Sequence, residues 1–293
     1  MDSEALAGLL RQLKEDTGLD YFLQSETGET IASTCSVKGK LLQDLAAGAL
    51  SAEEIAAGIR RTGLDFAGGR CLLLIECEDL TTYVLTMAAS AMFEEALEAE
   101  SCVAEEKGRY FLLLDASKCP DLREAAELLQ GSLEGETMSR VRIGVSNVFT
   151  APEEMPRARQ EAAVALTGLK LFSRPDSVSR YADLGLELAA MKLSSEAAAE
   201  YVGSVLGGGA DAVLADDELL RTAEVFLSTG LNSAETARTL IVHRNTLNYR
   251  LDKIHRLCGL DLKRFDEAAA FRLASLVWQR LRQEEKQTQR SGD

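Results

Sequence analysis

Apolar residues between 234 and 258 recur at helical spacings in two groups that are separated by a break. The first group has a spacing of three residues and consists of Ala234, Ala237 and Leu240. The second has spacings of four, three and four residues and consists of Leu247, Leu251, Ile254 and Cys258. Ile241–His243 interrupts the pattern, with Val242 placed to pack beneath both groups. The pattern predicts two short helices joined by a tight turn.

Polar and basic side chains occupy the remaining faces of the second predicted helix. At about 100° per residue, four of them fall opposite the apolar stripe: Asn245, Tyr249, Lys253 and Arg256. Asn248 and Arg250 flank the stripe. This arrangement is typical of a helix-turn-helix whose second helix enters the major groove of DNA. The alternative is an ordinary helical hairpin with a solvated basic face.

The charge of this segment differs from that of the whole chain. Between Arg238 and Arg264 there are seven basic and two acidic side chains, a net charge of +5, whereas the 293-residue chain carries −15. Phosphates would attract the basic segment and repel the rest of the chain, so the molecule would be oriented on DNA. The charge pattern therefore favours double-stranded DNA as a partner.

The residue types on the second helix predict how DNA would be bound. Long cationic side chains at the edge of the groove-facing surface are expected to bind phosphates: Arg244, Arg250 and Lys253. Residues in the first two turns are expected to reach base edges: Asn245, Thr246, Asn248 and Tyr249. His243 is expected to cap the helix or to contact a phosphate. Thr246 has an alternative role as a helix cap.

Two stretches resemble a known family. The run VHRNTLNYRLDKIHRLCGLDL, preceded by AETARTL, closely resembles the C-terminal helix-turn-helix of PucR/CdaR-type bacterial transcriptional regulators over residues 219–281. That domain is similar to the Fis-type helix-turn-helix. The run VRIGVSNVFTAPEEMPRARQEAAVAL, followed by VSRYADLGLELA, resembles the GGDEF-like middle domain of the same family, whose fold resembles diguanylate cyclases. The resemblance implies a sequence-specific regulator that responds to a small metabolite.

The N-terminal pattern predicts a small α/β module. Helices are expected over 1–18, 39–48 and 51–62, and strands over 21–23, 30–32, 70–77 and 82–87. This outline fits a PAS- or GAF-like sensor, and a small α/β domain without a ligand fits it equally. An Ala/Glu-rich helix is expected over 88–106.

The rest of the chain is predicted to form a second α/β unit and a helical one. Strands are expected over 110–115, 140–146 and 178–181, and helices over 121–133, 152–172, 184–192, 194–206, 219–227 and 265–281. The fold class is multidomain, α/β plus all-α. Its parts are a PAS/GAF-like module (1–88), a degenerate GGDEF-like domain (89–206), a Fis-like helix-turn-helix domain (216–284) and a disordered tail (285–293).

The glycine-rich segments argue against nucleotide cyclase activity. An active cyclase needs a Gly-Gly-acid-acid-aromatic loop for phosphates and carboxylates for a divalent metal. Gly68-Gly69 precedes Arg70, and Gly207–Gly209 has the composition of a flexible linker. Asp115 is a remnant metal ligand or, more simply, a cap. We therefore expect a non-enzyme without a cofactor.

Composition places the protein in the cytoplasm. The chain has no stretch of about 18 apolar residues that would span a membrane, and MDSEALAGLL lacks the features of a signal peptide. Its six cysteines form no C-x-x-C motif and are expected to be reduced. A homodimer or larger homo-oligomer is expected, because one recognition helix covers few base pairs. The alternative function is a ligand-binding or protein-interaction module with vestigial DNA binding.

Overall fold

The structure, a computed structural model, describes residues 22–24, 30–33, 37–93, 97–106, 108–172 and 176–291. The chain divides into two compact units, Met1–Asp183 and Leu184–Asp293. The helix predicted over 1–18 lies outside the described residues. Within them, no helix is long and apolar enough to cross a membrane.

The first unit contains a hairpin and a mixed five-stranded sheet. The strands predicted over 21–23 and 30–32 are confirmed within one residue by the antiparallel pair β1 (Phe22–Gln24) and β2 (Thr30–Ser33). The strands of the sheet are β3 (Arg70–Glu76), β4 (Leu97–Glu106), β5 (Arg109–Asp115), β6 (Arg142–Val145) and β7 (Val178–Arg180). They are ordered β4-β5-β3-β6-β7, and only the β6–β7 pairing is parallel.

Helices cover both faces of this sheet. They are α1 (Val37–Ala47), α2 (Ala52–Thr62), α3 (Thr82–Met92), α4 (Leu122–Thr137) and α5 (Met155–Leu171). Alternate residues of β3 enter two cores, Leu72 and Leu74 with α1, α2 and α5, and Leu73 and Ile75 with α3 and α4. Because both faces are buried, β3 is an uninterrupted apolar run rather than an alternating one.

Two predicted elements of this unit are wrong, one of them in part. The strand expected over 82–87 is helix α3, since Thr81 caps it by accepting from the Val84 N–H and it buries Leu85 and Ala89, one turn apart. The helix expected over 88–106 is correct only as far as Met92, the end of α3, whereas Leu97–Glu106 is strand β4, because pairing with β5 outweighs the helical propensity of its Ala and Glu residues.

Strand β3 has a different place from the one predicted. The sequence assigned it to the N-terminal module, residues 1–88, with the middle domain beginning at 89. In the structure it lies between β5 and β6, so it is a central strand of the same sheet as the middle-domain strands. In its described part, the structure therefore does not show a separate PAS- or GAF-like module that contains this strand.

The second unit is entirely helical in its described part. Its helices are α6 (Leu186–Lys192), α7 (Ser195–Leu206), α8 (Ala210–Leu214), α9 (Asp217–Ser228), α10 (Ser233–Thr239), α11 (Arg244–Cys258) and α12 (Phe265–Ser291). Helix α12 packs on α6 and α7. It continues to Ser291, through the polar segment that was predicted to be disordered from 285.

Candidate nucleic-acid interface

Helices α9, α10 and α11 form the core of the predicted helix-turn-helix. Leu247, Leu251 and Ile254 of α11 are buried, and Cys258 is half-buried, as the apolar stripe predicts. Helices α9 and α10 both pack against α11. Gly259, with φ of 78°, ends α11 in the left-handed conformation that glycine favours at this position.

The inward face of α10 differs from the predicted one. Ala234 is exposed, whereas Thr236 is fully buried. The Thr236 hydroxyl donates to the Asn232 carbonyl at 2.7 Å and lies 2.7 Å from the Thr229 hydroxyl. Thr236 can be buried because its hydroxyl is hydrogen-bonded. The spacing of apolar residues alone does not predict this burial, because threonine is not counted among them.

Histidine 243 fixes the start of α11. Its Nδ1 accepts a hydrogen bond of 3.2 Å from the Asn245 N–H, which confirms the predicted cap. The alternative cap role for Thr246 is wrong, because that residue lies inside the first turn and is exposed. The phosphate contact of His243 stays a prediction.

The first turns of α11 present a row of exposed polar side chains. Arg244, Asn245 and Thr246 are exposed, and Tyr249 is 62% exposed. Asn248 is half-buried at the side of the row. The structure therefore brings together the predicted base-reading residues at the end of the helix that enters the groove in proteins of this architecture.

Arg250 and Lys253 are instead engaged with the start of α9. Arg250 is ion-paired with Glu218, and its Nη1 donates to the Thr222 hydroxyl at 3.4 Å. The Arg250 side chain is only 15% exposed. Lys253 Nζ lies 3.2 Å from the carboxylate of Asp216. Both side chains were predicted to bind phosphates, but in this structure they hold α9 against α11.

Asp216 serves two elements at once. Its carboxylate caps α9 by accepting from the backbone N–H groups of Glu218 and Leu219, both at 3.1 Å. Those bonds, that from Leu219 above all, together with Lys253, hold its pKa below the ordinary value despite some desolvation. The acidic partners of the basic helix lie over 30 residues earlier in the chain, so spacing within the motif gives no signal for them.

The turn before α11 has unusual backbone geometry. Ile241 has φ of 56° and is 92% exposed. Its N–H bonds to the Arg238 carbonyl at 3.1 Å, and the Val242 N–H bonds to the Ala237 carbonyl at 3.0 Å. These two bonds define a Schellman end to α10, with isoleucine in the position where glycine is preferred.

The three-glycine segment packs against the other end of α11. Gly207–Gly209, predicted to be a flexible linker, forms a turn of 3-10 helix. A Cβ on Gly209 would lie less than 3.0 Å from the Leu257 carbonyl oxygen. The segment is therefore a packed part of the helical unit rather than a linker.

Asp115, the predicted remnant of a metal site, is a structural cap in the first unit. It accepts from the Ser117 N–H at 3.0 Å and pairs with the buried guanidinium of Arg70 at 3.2 Å. Burial raises its pKa, but the hydrogen bonds from Ser117 and the charge of Arg70 outweigh burial and bring the pKa below the ordinary value. The simpler of the two predicted roles is confirmed.

Two family profiles match the chain. The PucR C-terminal helix-turn-helix domain matches residues 219–277, which include most of α9 and all of α10 and α11. A GGDEF-like domain matches residues 47–167, which include strands β3 to β6. The second match begins well before residue 89, in agreement with the position of β3 in the sheet.

Curated relatives are similar over about half of this chain. The purine catabolism regulatory protein of Bacillus subtilis (strain 168) is 32% identical over 155 residues, which cover 53% of this chain and 29% of that protein. The transcriptional activator PmfR of Paenarthrobacter nicotinovorans is 32% identical over 139 residues, 47% and 28% respectively. The carbohydrate diacid regulator of Escherichia coli (strain K12) is 29% identical over 149 residues, 50% and 38%. The chain thus spans well under half the length of these relatives.

Proposed function

Since the chain belongs to the PucR/CdaR-type bacterial transcriptional regulators, we propose that it binds double-stranded DNA sequence-specifically through α11 and thereby regulates transcription. The observation that carries the proposal is the exposed row Arg244, Asn245, Thr246 and Tyr249 at the start of a helix that is buried on its opposite face. In a helix-turn-helix this end of the second helix meets the base edges.

Exposure and existing partners divide the proposed contacts into two classes. Asn245, Thr246, Asn248 and Tyr249 would read bases, because their amide, hydroxyl and methyl groups match base edges in the major groove. Arg244 and His243 would bind phosphates at the rim. Arg250 and Lys253 would reach phosphates only by leaving Glu218 and Asp216.

The test separates base reading from phosphate binding in the full-length protein. A binding site is first selected from a pool of random duplexes with the unmodified protein, and affinity is then measured for the selected and a scrambled duplex. Asn245→Ala and Tyr249→Ala should lose roughly 1–3 kcal/mol of discrimination between the two duplexes. Arg244→Ala should weaken binding to both about equally and reduce the salt dependence by roughly one phosphate contact.

Two results would contradict the proposal. If the unmodified protein selects no sequence and binds no duplex at low salt, the alternative of a signalling module with vestigial DNA binding replaces it. If Asn245→Ala and Arg244→Ala give the same profile on both duplexes, the division between reading and positioning is wrong. Arg61→Ala, at the end of α2 in the other unit, is a matched loss of one exposed charge and should leave both affinities unchanged.

The remaining properties of the molecule are proposed on the same basis. The GGDEF-like domain would be regulatory rather than catalytic, because no Gly-Gly-acid-acid-aromatic loop occurs in the chain. A small metabolite would act through the first unit, and the protein would work in the cytoplasm as a homodimer or larger homo-oligomer. We further propose that the GGDEF-like domain ends near Asp183 rather than at 206 and that the helical unit begins at Leu184 rather than at 216, which the division into two compact units supports.

A further inference from the structure

Ile241 combines a strained backbone with an apolar side chain that is exposed to solvent. Its backbone lies in the left-handed region, with φ of 56°, where the Cβ of an L-residue meets the neighbouring carbonyl and a branched Cβ is most disfavoured. Its side chain is 92% exposed, so burial of apolar surface does not offset the strain. A branched residue that has both features is better explained by a contact with a partner molecule than by the stability of the free chain.

Other helix ends of the same chain show the ordinary solution. Gly63, Gly230 and Gly259 have φ of 69°, 65° and 78° at the ends of α2, α9 and α11. Among the described residues, three non-glycine residues share this region of φ: Met138, Leu231 and Ile241. Leu231 is partly buried, and Met138 is 89% exposed but has no branch at Cβ, so the backbone conformation of Ile241 is the most disfavoured of the three.

The position of Ile241 indicates what it contacts. It stands two residues before the cap His243 and three before Arg244, at the entrance to α11 and beside the exposed row that would meet the bases. Val242 next to it is half-buried, so the turn is anchored while the Ile241 side chain extends into solvent. A side chain held there would approach the same groove as the first turn of α11.

We propose that Ile241 is a DNA-contacting residue that packs against apolar atoms of the duplex, either a thymine C5 methyl group or deoxyribose carbons. The inference rests on the proposed function and adds an apolar contact to its polar ones. Thymine is distinguished in the major groove by that methyl group, which apolar side chains can touch. The strained turn thus presents the isoleucine to DNA.

The test uses the full-length protein, the selected duplex and three variants of one position. Ile241→Asn and Ile241→Gly relieve the backbone strain, so each should raise the melting temperature of the helical unit by about 2–4 °C. Both remove the apolar contact and should weaken binding to the selected duplex by roughly three- to tenfold. Ile241→Leu keeps an apolar side chain of the same size and should bind within about twofold of the unmodified protein.

A control variant and a modified duplex test whether the effect is specific to Ile241 and to the thymine methyl group. Met138→Gly relieves a positive φ of 54° in the first unit and should leave DNA affinity unchanged. Replacing thymine by deoxyuridine in the selected duplex removes the methyl group alone. If thymine is the target, the unmodified protein should lose roughly three- to tenfold on that duplex and Ile241→Asn should lose nothing further; if deoxyribose is the target, the substitution should have no effect on either protein.

The outcomes that overturn the inference are distinct from failure of the proposed function. If Ile241→Asn and Ile241→Gly bind the selected duplex as tightly as the unmodified protein, Ile241 does not contact DNA, although sequence-specific binding stands. If Ile241→Leu loses as much affinity as Ile241→Asn, the contact is not apolar and the inference is wrong. If the unmodified protein selects no duplex, both proposals fail together.

Discussion

At Gly209 the backbone comes so close to the last turn of α11 that no side chain fits between them. An added Cβ would meet the Leu257 carbonyl oxygen, and Leu257 and Cys258 form the end of the helix that is proposed to read DNA. Both contacts are to backbone atoms, so no side chain can rotate away to make room for the Cβ. A single hydrogen in place of a methyl group therefore sets the distance between α11 and the segment that precedes α8.

We predict that Gly209→Ala destabilises the helical unit by about 1–3 kcal/mol, since overpacking against backbone cannot be relieved by rotating a side chain. Gly208→Ala is the matched control, because a Cβ there meets nothing within 4 Å. Urea unfolding followed by circular dichroism measures both. Equal midpoints for the two variants would show that the segment yields freely and does not position α11.

Residues such as Gly209 and Thr236 mark the limit of what the sequence predicts at this scale. The apolar stripe of α11 and the His243 cap were predictable because helical periodicity and capping are local properties. Thr236 is buried because Asn232 and Thr229 satisfy its hydroxyl, and Gly209 matters because of a helix nearly 50 residues later. The burial of Thr236 and the close packing at Gly209 both depend on specific contacts that helical periodicity does not predict.

At the scale of elements, α9 and α11 are joined by two ion pairs whose basic members were predicted to bind DNA. Arg250 is mostly covered and reaches both Glu218 and Thr222 on α9. Hydrogen bonds to charged groups contribute more than neutral ones when they are shielded from water, although Glu218 itself is 64% exposed and screening reduces the gain. The pair therefore stabilises the arrangement of the two helices by roughly 1 kcal/mol.

We predict that Arg250→Ala lowers both the free energy of unfolding, by about 1–2 kcal/mol, and DNA affinity, because it removes an ion pair and the packing of its aliphatic stem. Arg244→Ala, on the exposed first turn of the same helix, should lower DNA affinity with a change in stability below about 0.5 kcal/mol. Chemical denaturation and DNA titration of the two variants decide the matter. Equal stabilities for both would assign Arg250 to the groove-facing surface alone.

The elements of the first unit show where local sequence patterns predict secondary structure and where tertiary contacts override them. Strands β5 and β6 and helices α4 and α5 were predicted near their observed positions, because each is bounded by a clear change of pattern. Helix α3 contains Thr, Tyr and Val, which favour strands, yet it packs on α4 as a helix. Strand β4 contains Glu and Ala, which favour helices, yet it pairs with β5. Tertiary contacts decided both, and local propensity did not.

At the scale of the whole molecule, charge is divided unevenly along the chain. From Asp216 to the end, 13 basic and 12 acidic side chains give a net charge of +1, so the preceding residues carry −16 of a total of −15. An acidic body adds no affinity for DNA and lowers that of a single recognition helix. Pairing of two chains would restore affinity by joining two half-sites.

We predict that the protein has twice the 31.8 kDa mass of one chain, or a larger multiple, when light scattering is measured at micromolar concentration. The selected duplex should then contain two half-sites about one helical turn, or a multiple of it, apart. A monomer both with and without DNA, on a site without internal repetition, would contradict this prediction.

The single tryptophan gives the helical unit an optical signal of its own. Trp278 is the only tryptophan in the chain. It lies on α12, where its indole N–H donates to Asp211 at 3.1 Å and the Arg282 guanidinium lies 5.1 Å from the ring centroid. Fluorescence excited at wavelengths that tyrosine does not absorb comes from Trp278 alone. It therefore reports on the contact between α12 and α8, and the GGDEF-like unit contributes no signal. Comparing this fluorescence with far-ultraviolet dichroism, which reports on every helix, tells whether the two units melt together or one after the other.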